Sequence, residues 1–304
     1  MENLLHTFLF QRLYNTRMNF INELTIIIVL FEEKKDLLFK CLNNIKNFKV
    51  IIIDNAGNSE LKSQVQNEFV IQHYILNKKN YGFTKAANQA IKLCNTDYIL
   101  NINADCFIEE QDILLLLKAH QNYDNCFIAA PTFYNENFEL TDNSDCFHEK
   151  NLDRKILNLE GDVCVDIVLG SAILFKKKDM IALGLLDEKY FLYFVDYDLC
   201  RMIKKINKSV IQVYNAKAQH SHGQSKVKNK LKRTFLRSYH FTYDEMCYYY
   251  KINKHHEKYN NLKKKIPRYI LKTVFNFITF RFVKSINFFS MIKAFYDFNR
   301  SIKK

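Results

Sequence analysis

Two short, unbroken apolar runs rich in β-branched residues constrain the fold of this chain most strongly. LTIIIVLF fills residues 24–31 and VIIID fills residues 50–54, and residues 36–45 between them have the apolar spacing of a helix. Continuous runs of this kind are typical of buried strands in a parallel sheet. The two runs therefore predict parallel strands joined by a helix.

The same alternation continues along the chain. Further strands are predicted over residues 71–76, 97–102, 165–175 and 210–214, and further helices over residues 61–69, 84–94, 178–183 and 196–205. Strands that alternate with helices indicate an α/β fold with a mostly parallel sheet flanked by helices. Ligands of such sheets bind beyond the carboxyl ends of the strands, where Asp54 and Asp105 are expected to lie.

Composition narrows the class of protein. The chain has 304 residues, of which 48% are hydrophobic and 25% are charged, so a disordered or fibrous protein is excluded. Lys and Arg outnumber Asp and Glu by 45 to 32, and a net charge of +13 attracts phosphate groups, anionic lipid or nucleic acid. The eight cysteines have neither the spacing of a zinc site nor that of a disulfide framework, so we expect a reduced, cytoplasmic protein.

The character of the sequence changes after residue 225. From residue 226 to residue 304, Lys and Arg alternate with aromatic and aliphatic residues in helical stretches, which Pro267 is expected to divide into two pieces. These stretches are either helices that lie on an anionic membrane surface or a helical hairpin that packs on the α/β domain or on a second subunit. We predict three regions, an N-terminal extension (1–23), an α/β domain (24–225) and a helical region (226–304), with neither a secretory signal nor a spanning helix.

Acids at the ends of predicted strands are candidates for ligand binding, and each has a local alternative. Asp54 can accept hydrogen bonds from a nucleobase or a ribose, or it can cap the next helix or close the turn that follows its strand. Asp105, two residues after Asn103, offers a carboxylate to Mg²⁺ or Mn²⁺, a hard cation that proteins share with substrate phosphates.

Two later groups carry candidate chemistry as well. Asp196 and Asp198 open a helix, so one of them can act as a general base, or both can complement the helix dipole. His220 and His222 can complete a metal or phosphate site, or belong to a surface loop.

The order of these pieces resembles the family-2 glycosyltransferases, and within them the bacterial rhamnosyltransferase-like branch that decorates cell-surface polysaccharides. The resemblance extends from about residue 24 to about residue 225. The segments that carry it are IIIDNAGNSE, NYGFTKAANQAI, YILNINADCFI, GLLDEKYFLYFVDYDLC and HSHGQS.

The resemblance implies a GT-A (Rossmann-like) domain, a nucleotide-sugar donor and a divalent metal, Mg²⁺ or Mn²⁺. It implies Asp196 as the catalytic base and Asp105 and His220 as metal ligands. The residues that it implies for donor binding are Asp54, Asn55, Asn80, Gly82, Asn103, Gly170 and Ser171. The residues that it implies on the acceptor side are Asp187, Glu188 and Asp198.

The same resemblance implies the reaction and its partners. We expect inverting transfer to a glycan or a lipid-linked glycan, with peripheral contact to an anionic membrane at the cytoplasmic face of the inner membrane and no binding of nucleic acid. The sequence departs from the family pattern at three places. Asn103 stands where many relatives carry an Asp, Val195 replaces the Glu that usually precedes the base, and Phe31-Glu32 replaces Tyr-Asn.

Three other interpretations remain open. A homologue that binds the donor but turns it over weakly would share all these motifs. A basic nucleic-acid-binding protein would explain the net charge, but it would leave the acids after buried strands unexplained. A nucleotidyltransferase would need a Gly-rich phosphate loop near the first strand, where the chain has VLFEEKKD.

Overall fold

The computed structural model describes residues 20–141, 144–145, 147, 160–220, 229–254 and 257–303. The predictions for most of the N-terminal extension and for His222 fall outside these residues. The described chain divides into two compact units. The first falls within Met1–Tyr81, Lys85–Leu186 and Leu199–Ser225, and the second within Gly82–Thr84, Asp187–Asp198 and Lys226–Lys304.

The strands belong to a nine-stranded sheet and a two-stranded sheet. In chain order they are β1 (Leu24–Leu30), β2 (Lys49–Asp54), β3 (His73–Leu76), β4 (Tyr98–Ile102), β5 (Cys106–Ile108), β6 (Cys126–Tyr134), β7 (Ser144–Asp145), β8 (Val163–Val165), β9 (Ile167–Val168), β10 (Ala172–Lys176) and β11 (Ser209–His220). The larger sheet has the order β3-β2-β1-β4-β10-β6-β11-β5, with β8 paired to β11, and β7 pairs with β9.

The described helices connect and extend these strands. They are α1 (Lys35–Asn44), α2 (Ser59–Glu68), α3 (Phe83–Leu93), α4 (Glu110–Asn122), α5 (Lys177–Ala182), α6 (Val195–Lys205), α7 (Lys230–Ile252), α8 (Glu257–Ile278) and α9 (Phe282–Ser301).

The α/β class is confirmed, and the sheet is mixed. β3, β2, β1 and β4 are parallel, as the sequence predicts, whereas β10 runs antiparallel to both β4 and β6. The apolar run of β1 is covered on both faces: Ile26 and Ile28 join the core that includes α1 and α4, and Ile27 is equally buried on the opposite face. The first strands are therefore buried in the core, and the polar loops follow their carboxyl ends.

Two segments differ from the sequence prediction. Residues 165–175 do not form one strand, because Gly170 and Ser171 occupy a turn between β9 and β10. Pro267 does not divide the tail, since it lies inside α8, and the helices of this region end at Ile252, Ile278 and Ser301 instead. Lys263, whose carbonyl oxygen would accept the hydrogen bond that a proline cannot donate, is exposed, so water can take the place of that bond.

The second unit has its own apolar core. Met246 of α7, Ile266 of α8 and Phe295 and Phe298 of α9 are buried together and hold the three helices against one another. Within the residues described, no helix combines the length and the apolar character needed to cross a bilayer. No disulfide joins the cysteines of that part of the chain.

Candidate functional site

Asp105 and His220 form the clearest candidate pair in the first unit. The Nε2 atom of His220 lies 3.3 Å from the Oδ1 atom of Asp105, and the His220 side chain is 7% exposed. They meet because β5 and β11 pair antiparallel, which sets His220 opposite Cys106, the residue after Asp105. The sheet register therefore brings together two residues that are far apart in the sequence.

Glu33 is a neighbouring acid that sequence reasoning missed. It follows β1, whose parallel neighbour is β4, and burial raises its pKa to about 7, with a further contribution from the charge of Asp105. A carboxyl group that is disfavoured as an anion beside a second carboxylate is a common feature of ligand sites. The FEEK segment of the sequence contained this acid, but no local pattern set it apart from Glu32.

The Asp105–His220 pair fits a divalent cation only as part of a larger site. The described residues contain no group of three or more His, Cys, Asp and Glu side chains arranged to hold a metal ion. One carboxylate and one imidazole leave most coordination positions to other ligands, and Mg²⁺ and Mn²⁺ commonly take phosphate oxygens and water there. Asp105 and His220 therefore suit a cation that binds together with a diphosphate.

Asp54 lies at the carboxyl end of β2, two strands from β4 in the sheet. Its carboxylate accepts hydrogen bonds from the backbone nitrogens of Ala56 at 2.7 Å and Asn58 at 3.2 Å and from the hydroxyl of Tyr74 at 3.4 Å. Burial raises the pKa of Asp54, and the backbone hydrogen bonds oppose that rise. These contacts match the turn-closing role that the sequence allowed.

Asn55 begins a polar network at the same strand end. Its Oδ1 atom accepts a hydrogen bond from the side chain of Asn77 at 2.9 Å, and Asn77 also donates to Gln89 of α3 at 3.2 Å. Asn80 lies in the loop that leads into α3. The network therefore joins the loop after β3 to the turn after β2 and to α3.

Asn103 and Ser171 meet through the backbone. The nitrogen of Asn103 donates to the carbonyl oxygen of Ser171 at 2.9 Å, and the side chain of Asn101 donates to the carbonyl oxygen of Gly170 at 3.3 Å. The turn before β10 is thus tied to the residues that follow β4. Two segments that are distant in sequence are therefore joined close to the chain position of Asp105.

Asp196 belongs to the second unit, in the first turn of α6. Its Oδ1 atom accepts a hydrogen bond from the backbone nitrogen of Tyr197 at 3.0 Å. The residue before the helix, Phe194, has a left-handed backbone with φ of 60°, which is costly for a non-glycine residue, and its ring stacks on Tyr248 of α7. Packing by α7 therefore supports the sharp entry into α6.

Asp187 and Asp198 both pair with the side chain of Lys251, a residue that the sequence analysis did not single out. The Nζ atom of Lys251 lies 3.0 Å from Asp187 and 2.8 Å from Asp198, whose side chain is 5% exposed. Burial raises the pKa of Asp198 despite the Lys251 contact, whereas for Asp187 the hydrogen bonds from Lys251 and Lys189 outweigh burial and its pKa is lowered. Glu188, between them in sequence, is exposed.

Asp244 of α7 is a second residue that sequence reasoning missed. Its carboxylate is fully buried and accepts hydrogen bonds from three consecutive backbone nitrogens, those of Phe191 at 3.0 Å and of Leu192 and Tyr193 at 2.9 Å. The segment that leads into Asp196 is thereby attached to α7. No spacing rule could have indicated this contact, because it joins residues about fifty positions apart.

Gly82, also in the second unit, lies against Phe191, one of the residues that Asp244 holds. Its φ is +87°, and a Cβ atom there would lie 2.7 Å from the carbonyl oxygen of Phe191. The nitrogen of Phe83 donates to that same oxygen at 2.6 Å. Only a glycine permits this close approach of the two backbones.

Comparisons with known proteins agree with this fold. The model of the family described as glycosyl transferase family 2 matches residues 25–183, which is more than half of the chain. The chain is 25% identical over 213 residues to the low-salt glycan biosynthesis hexosyltransferase Agl10 of Haloferax volcanii, covering 66% of this chain and 68% of that protein. It is 26% identical over 202 residues to the rhamnosyltransferase WbbL of Escherichia coli K12, covering 57% and 74%.

Solved structures share the fold at low sequence identity. One is GalNAc-T7 with UDP, GalNAc and Mn²⁺, at a TM-score of 0.52 and 12% identity over 73% of this chain. Another is the mannosyltransferase PcManGT of Pyrobaculum calidifontis with GDP-Man and Mn²⁺, at a TM-score of 0.50 and 13% identity over 72% of this chain. The alignments span 49% and 62% of those two chains. The GT-A-like fold and the match over more than half of its length show that this chain belongs to glycosyl transferase family 2.

Proposed function

We propose that the chain is an inverting glycosyltransferase that moves a sugar from a nucleoside-diphosphate donor, of the dTDP-rhamnose or UDP-sugar type, to a hydroxyl group of a growing cell-surface glycan such as lipopolysaccharide, O-antigen or capsule. The observation that carries the proposal is the 3.3 Å pair of Asp105 and His220 beyond the strand ends of a family 2 domain. Relatives named as a hexosyltransferase and a rhamnosyltransferase support the sugar class.

In this proposal Asp105 and His220 hold Mg²⁺ or Mn²⁺ together with the donor diphosphate. When bound, such a cation offsets the negative charge that develops on the leaving diphosphate. The two structural neighbours were solved with Mn²⁺ and with UDP or GDP-Man. The net charge of +13 favours approach of the anionic donor.

Asp196 serves as the base in the chemical step. The acceptor oxygen forms a bond to the anomeric carbon while the bond from that carbon to the diphosphate oxygen breaks, and Asp196 takes the proton of the acceptor hydroxyl. A single displacement from the opposite side inverts the anomeric carbon. A positioned base of this kind contributes about 10²–10⁴ in rate.

We assign Asp54, Asn55, Asn80, Gly82, Asn103, Gly170 and Ser171 to the donor side and Asp187, Glu188 and Asp198 to the acceptor side. Because acceptors of cell-surface glycan synthesis include lipid-linked glycans, we place the reaction in the cytoplasm at the face of the inner membrane. The basic and aromatic region after residue 226 supports peripheral contact with anionic lipid.

The first test is donor binding, measured as thermal stabilisation by a panel of nucleoside diphosphates and sugar nucleotides with and without Mn²⁺ or Mg²⁺. A ligand at a hundred times its dissociation constant stabilises the native state by about 2.7 kcal/mol. We expect stabilisation by one nucleotide class, and only when metal is present. Absence of any shift would contradict the proposal.

The second test separates binding from chemistry. Asp196→Asn should lower transfer by about 10²–10⁴ and leave the donor shift unchanged, while Asp36→Asn, an exposed first-turn acid of α1, should leave both unchanged. Loss of donor binding in Asp196→Asn with normal transfer per bound donor would contradict the role of the base. Donor binding without transfer in the native protein would favour a catalytically weak homologue.

A further inference from the structure

An apolar surface of unusual extent covers the end of α8 and the turn into α9. We call residues 270–282 the α8–α9 tip. The large apolar side chains of the tip are all exposed, with Leu271 at 72% and Phe280 at 80%. Its exposed members are Ile270, Leu271, Val274, Phe275, Phe277, Ile278, Phe280 and Phe282. Contiguous apolar surface of this kind marks a site of interaction with a protein, a ligand or a membrane.

The interior of the tip is polar, which reverses the usual arrangement. Asn276 is buried, and its side chain donates to the carbonyl oxygen of Lys272 at 2.7 Å. Ser285 of α9 is also buried, and its hydroxyl donates to the carbonyl oxygen of Thr273 at 2.9 Å. Small and polar residues along a helix seam with apolar residues outside are typical of helices that face hydrocarbon.

The reversal begins partway along α8. In the first half of the helix, Ile266 is buried against Phe295 and Phe298, and Lys263, Lys264 and Lys265 are exposed, as in any helix that faces water. After residue 269 the exposed positions become apolar. The change within one continuous helix indicates that its two halves meet different surroundings.

The charge around the tip selects an anionic partner. No acidic residue occurs between Lys258 and Tyr296. The cations of that interval are Lys258, Lys263, Lys264, Lys265, Arg268, Lys272, Arg281, Lys284 and Lys293. In a symmetric pair of chains joined through this face, the cations would face one another and repel, whereas anionic lipid headgroups attract each of them.

The size of the tip fits one side of a bilayer. From residue 270 to residue 278 the helix rises about 12 Å, at roughly 1.5 Å per residue, compared with about 30 Å for a hydrocarbon core. Arg281 and Lys284 flank the turn and can reach the headgroups while the aromatic side chains enter the acyl region.

We propose that the α8–α9 tip is a membrane anchor that inserts its aromatic side chains into one leaflet of an anionic bilayer. This deepens the proposed function by naming the segment that contacts lipid. Lipid binding and glycosyl transfer are measured separately, so either proposal can fail without the other.

The chain contains no Trp, so a single introduced Trp reports on its own position. Phe280 and Phe138 are a matched pair, because each is 80% exposed and each has a left-handed backbone, with φ of 55° and 60°. Mixed with vesicles of equimolar phosphatidylcholine and phosphatidylglycerol, Phe280→Trp should show a blue-shifted emission that brominated lipid quenches. Phe138→Trp should show neither change.

A second set of variants tests affinity. Replacing Phe275, Phe277 and Phe280 together by Ser should lower the vesicle partition coefficient by roughly tenfold or more, with the thermal unfolding midpoint and the donor shift retained. Phe138→Ser should partition as the native protein does. Equal emission shifts in the two Trp variants, or unchanged partition of the triple variant, would overturn the proposal. A Phe280→Trp shift that depends on protein concentration without vesicles would assign the tip to a second copy of the chain instead.

Discussion

The carboxylate of Asp244 lies 2.9 Å from the backbone nitrogen of Leu192, in the segment that leads into Asp196. The same carboxylate accepts from the nitrogens of Phe191 and Tyr193, and it is fully buried. A backbone nitrogen that is removed from water without an acceptor costs about 1–3 kcal/mol. Residues 191–193 belong to no strand or helix, and this one side chain supplies the acceptor for all three of their backbone nitrogens. Helix α7 is thus part of the support for the proposed base.

We expect Asp244→Ala to lower the free energy of unfolding by about 3 kcal/mol, since three nitrogens lose their acceptor and water replaces only part of it. Transfer should fall more through kcat than through KM, because the segment before Asp196 loosens, while most of the proposed donor residues, among them Asp54 and Asn103, lie outside it. Denaturant unfolding and steady-state kinetics measure the two effects. Asp244→Asn, which keeps one acceptor oxygen, should lie between. Native stability and kinetics in Asp244→Ala would show that the segment is held by other contacts.

His240 should make stability depend on pH. Its ring stacks on Phe191 at 3.5 Å between centroids, and burial lowers its pKa to about 4. The unfolded chain, with an ordinary histidine pKa of about 6.5, binds the proton more readily, so this residue costs stability as the pH falls from about 6.5 towards 4. His240→Phe keeps the stack and removes the titration.

The variant should therefore gain stability relative to the native protein by about 1–2 kcal/mol between neutral pH and about pH 4.5, after allowance for solvent screening. Burial raises the pKa of Asp244 to about 6, so that residue contributes the opposite slope in the same window. The two proteins must for this reason be compared at each pH. A pH-independent difference between them would contradict the lowered pKa.

Lys251 should contribute more to the free energy of unfolding than an ordinary surface lysine does. Replacement by Met keeps the stem and removes the charge that lies 2.8 Å from the buried Asp198 and 3.0 Å from Asp187. We expect a loss of about 1–3 kcal/mol in unfolding free energy, below the cost for a fully buried pair because Lys251 is partly exposed.

Lys293→Met is the control, since Lys293 pairs with Asp297 within one exposed helix face and should cost less than about 0.5 kcal/mol. Adding Asp198→Asn to Lys251→Met should recover part of the loss by removing the unpaired charge. Equal effects of the two lysine substitutions would indicate that the Lys251 contacts contribute little.

The strands and helices between residues 24 and 102 could be predicted because their signals are local, whereas β5, α4 and β6, which follow them, were not predicted. The buried runs of β1 and β2 and the acids that follow β2 and β4, Asp54 and Asp105, can be read from residue type and spacing alone. The 3.3 Å contact of Asp105 with His220 could not be predicted from local spacing, because it depends on the register of β5 against β11. The Asp244 contacts are equally non-local, and Pro267 misled because the exposed turn before it tolerates a missing donor.

Metal binding should depend on Asp105 more than on His220. Asp105→Asn removes the carboxylate charge that a hard cation prefers, whereas His220→Gln keeps a neutral donor. In a titration of Mn²⁺ with saturating nucleotide, we expect Asp105→Asn to abolish the metal-dependent part of the thermal shift and His220→Gln to weaken it. Metal-free nucleotide binding serves as the reference for each variant. An unaltered titration in Asp105→Asn would place the cation elsewhere.

Alanine substitutions at three glycines should distinguish the cost of backbone strain from the cost of steric contact. Gly161 has neither a left-handed backbone nor an atom within 4 Å of the position that a Cβ would take, and Gly184 has φ of +99° but open space around it. Gly82 has both a φ of +87° and a Cβ position 2.7 Å from the carbonyl oxygen of Phe191. We expect Ala to be nearly neutral at Gly161, to cost about 1 kcal/mol at Gly184, and to cost most at Gly82.

At Gly82 the consequences of an added methyl group should extend beyond stability. The displaced Phe191 would also disturb the 2.6 Å bond from Phe83 and the bond to Asp244. Only Gly82→Ala should therefore slow transfer beyond its effect on stability. The measurements are thermal unfolding and kcat for all three variants, and a Gly82→Ala protein as stable and active as Gly161→Ala would contradict the close approach of these two segments.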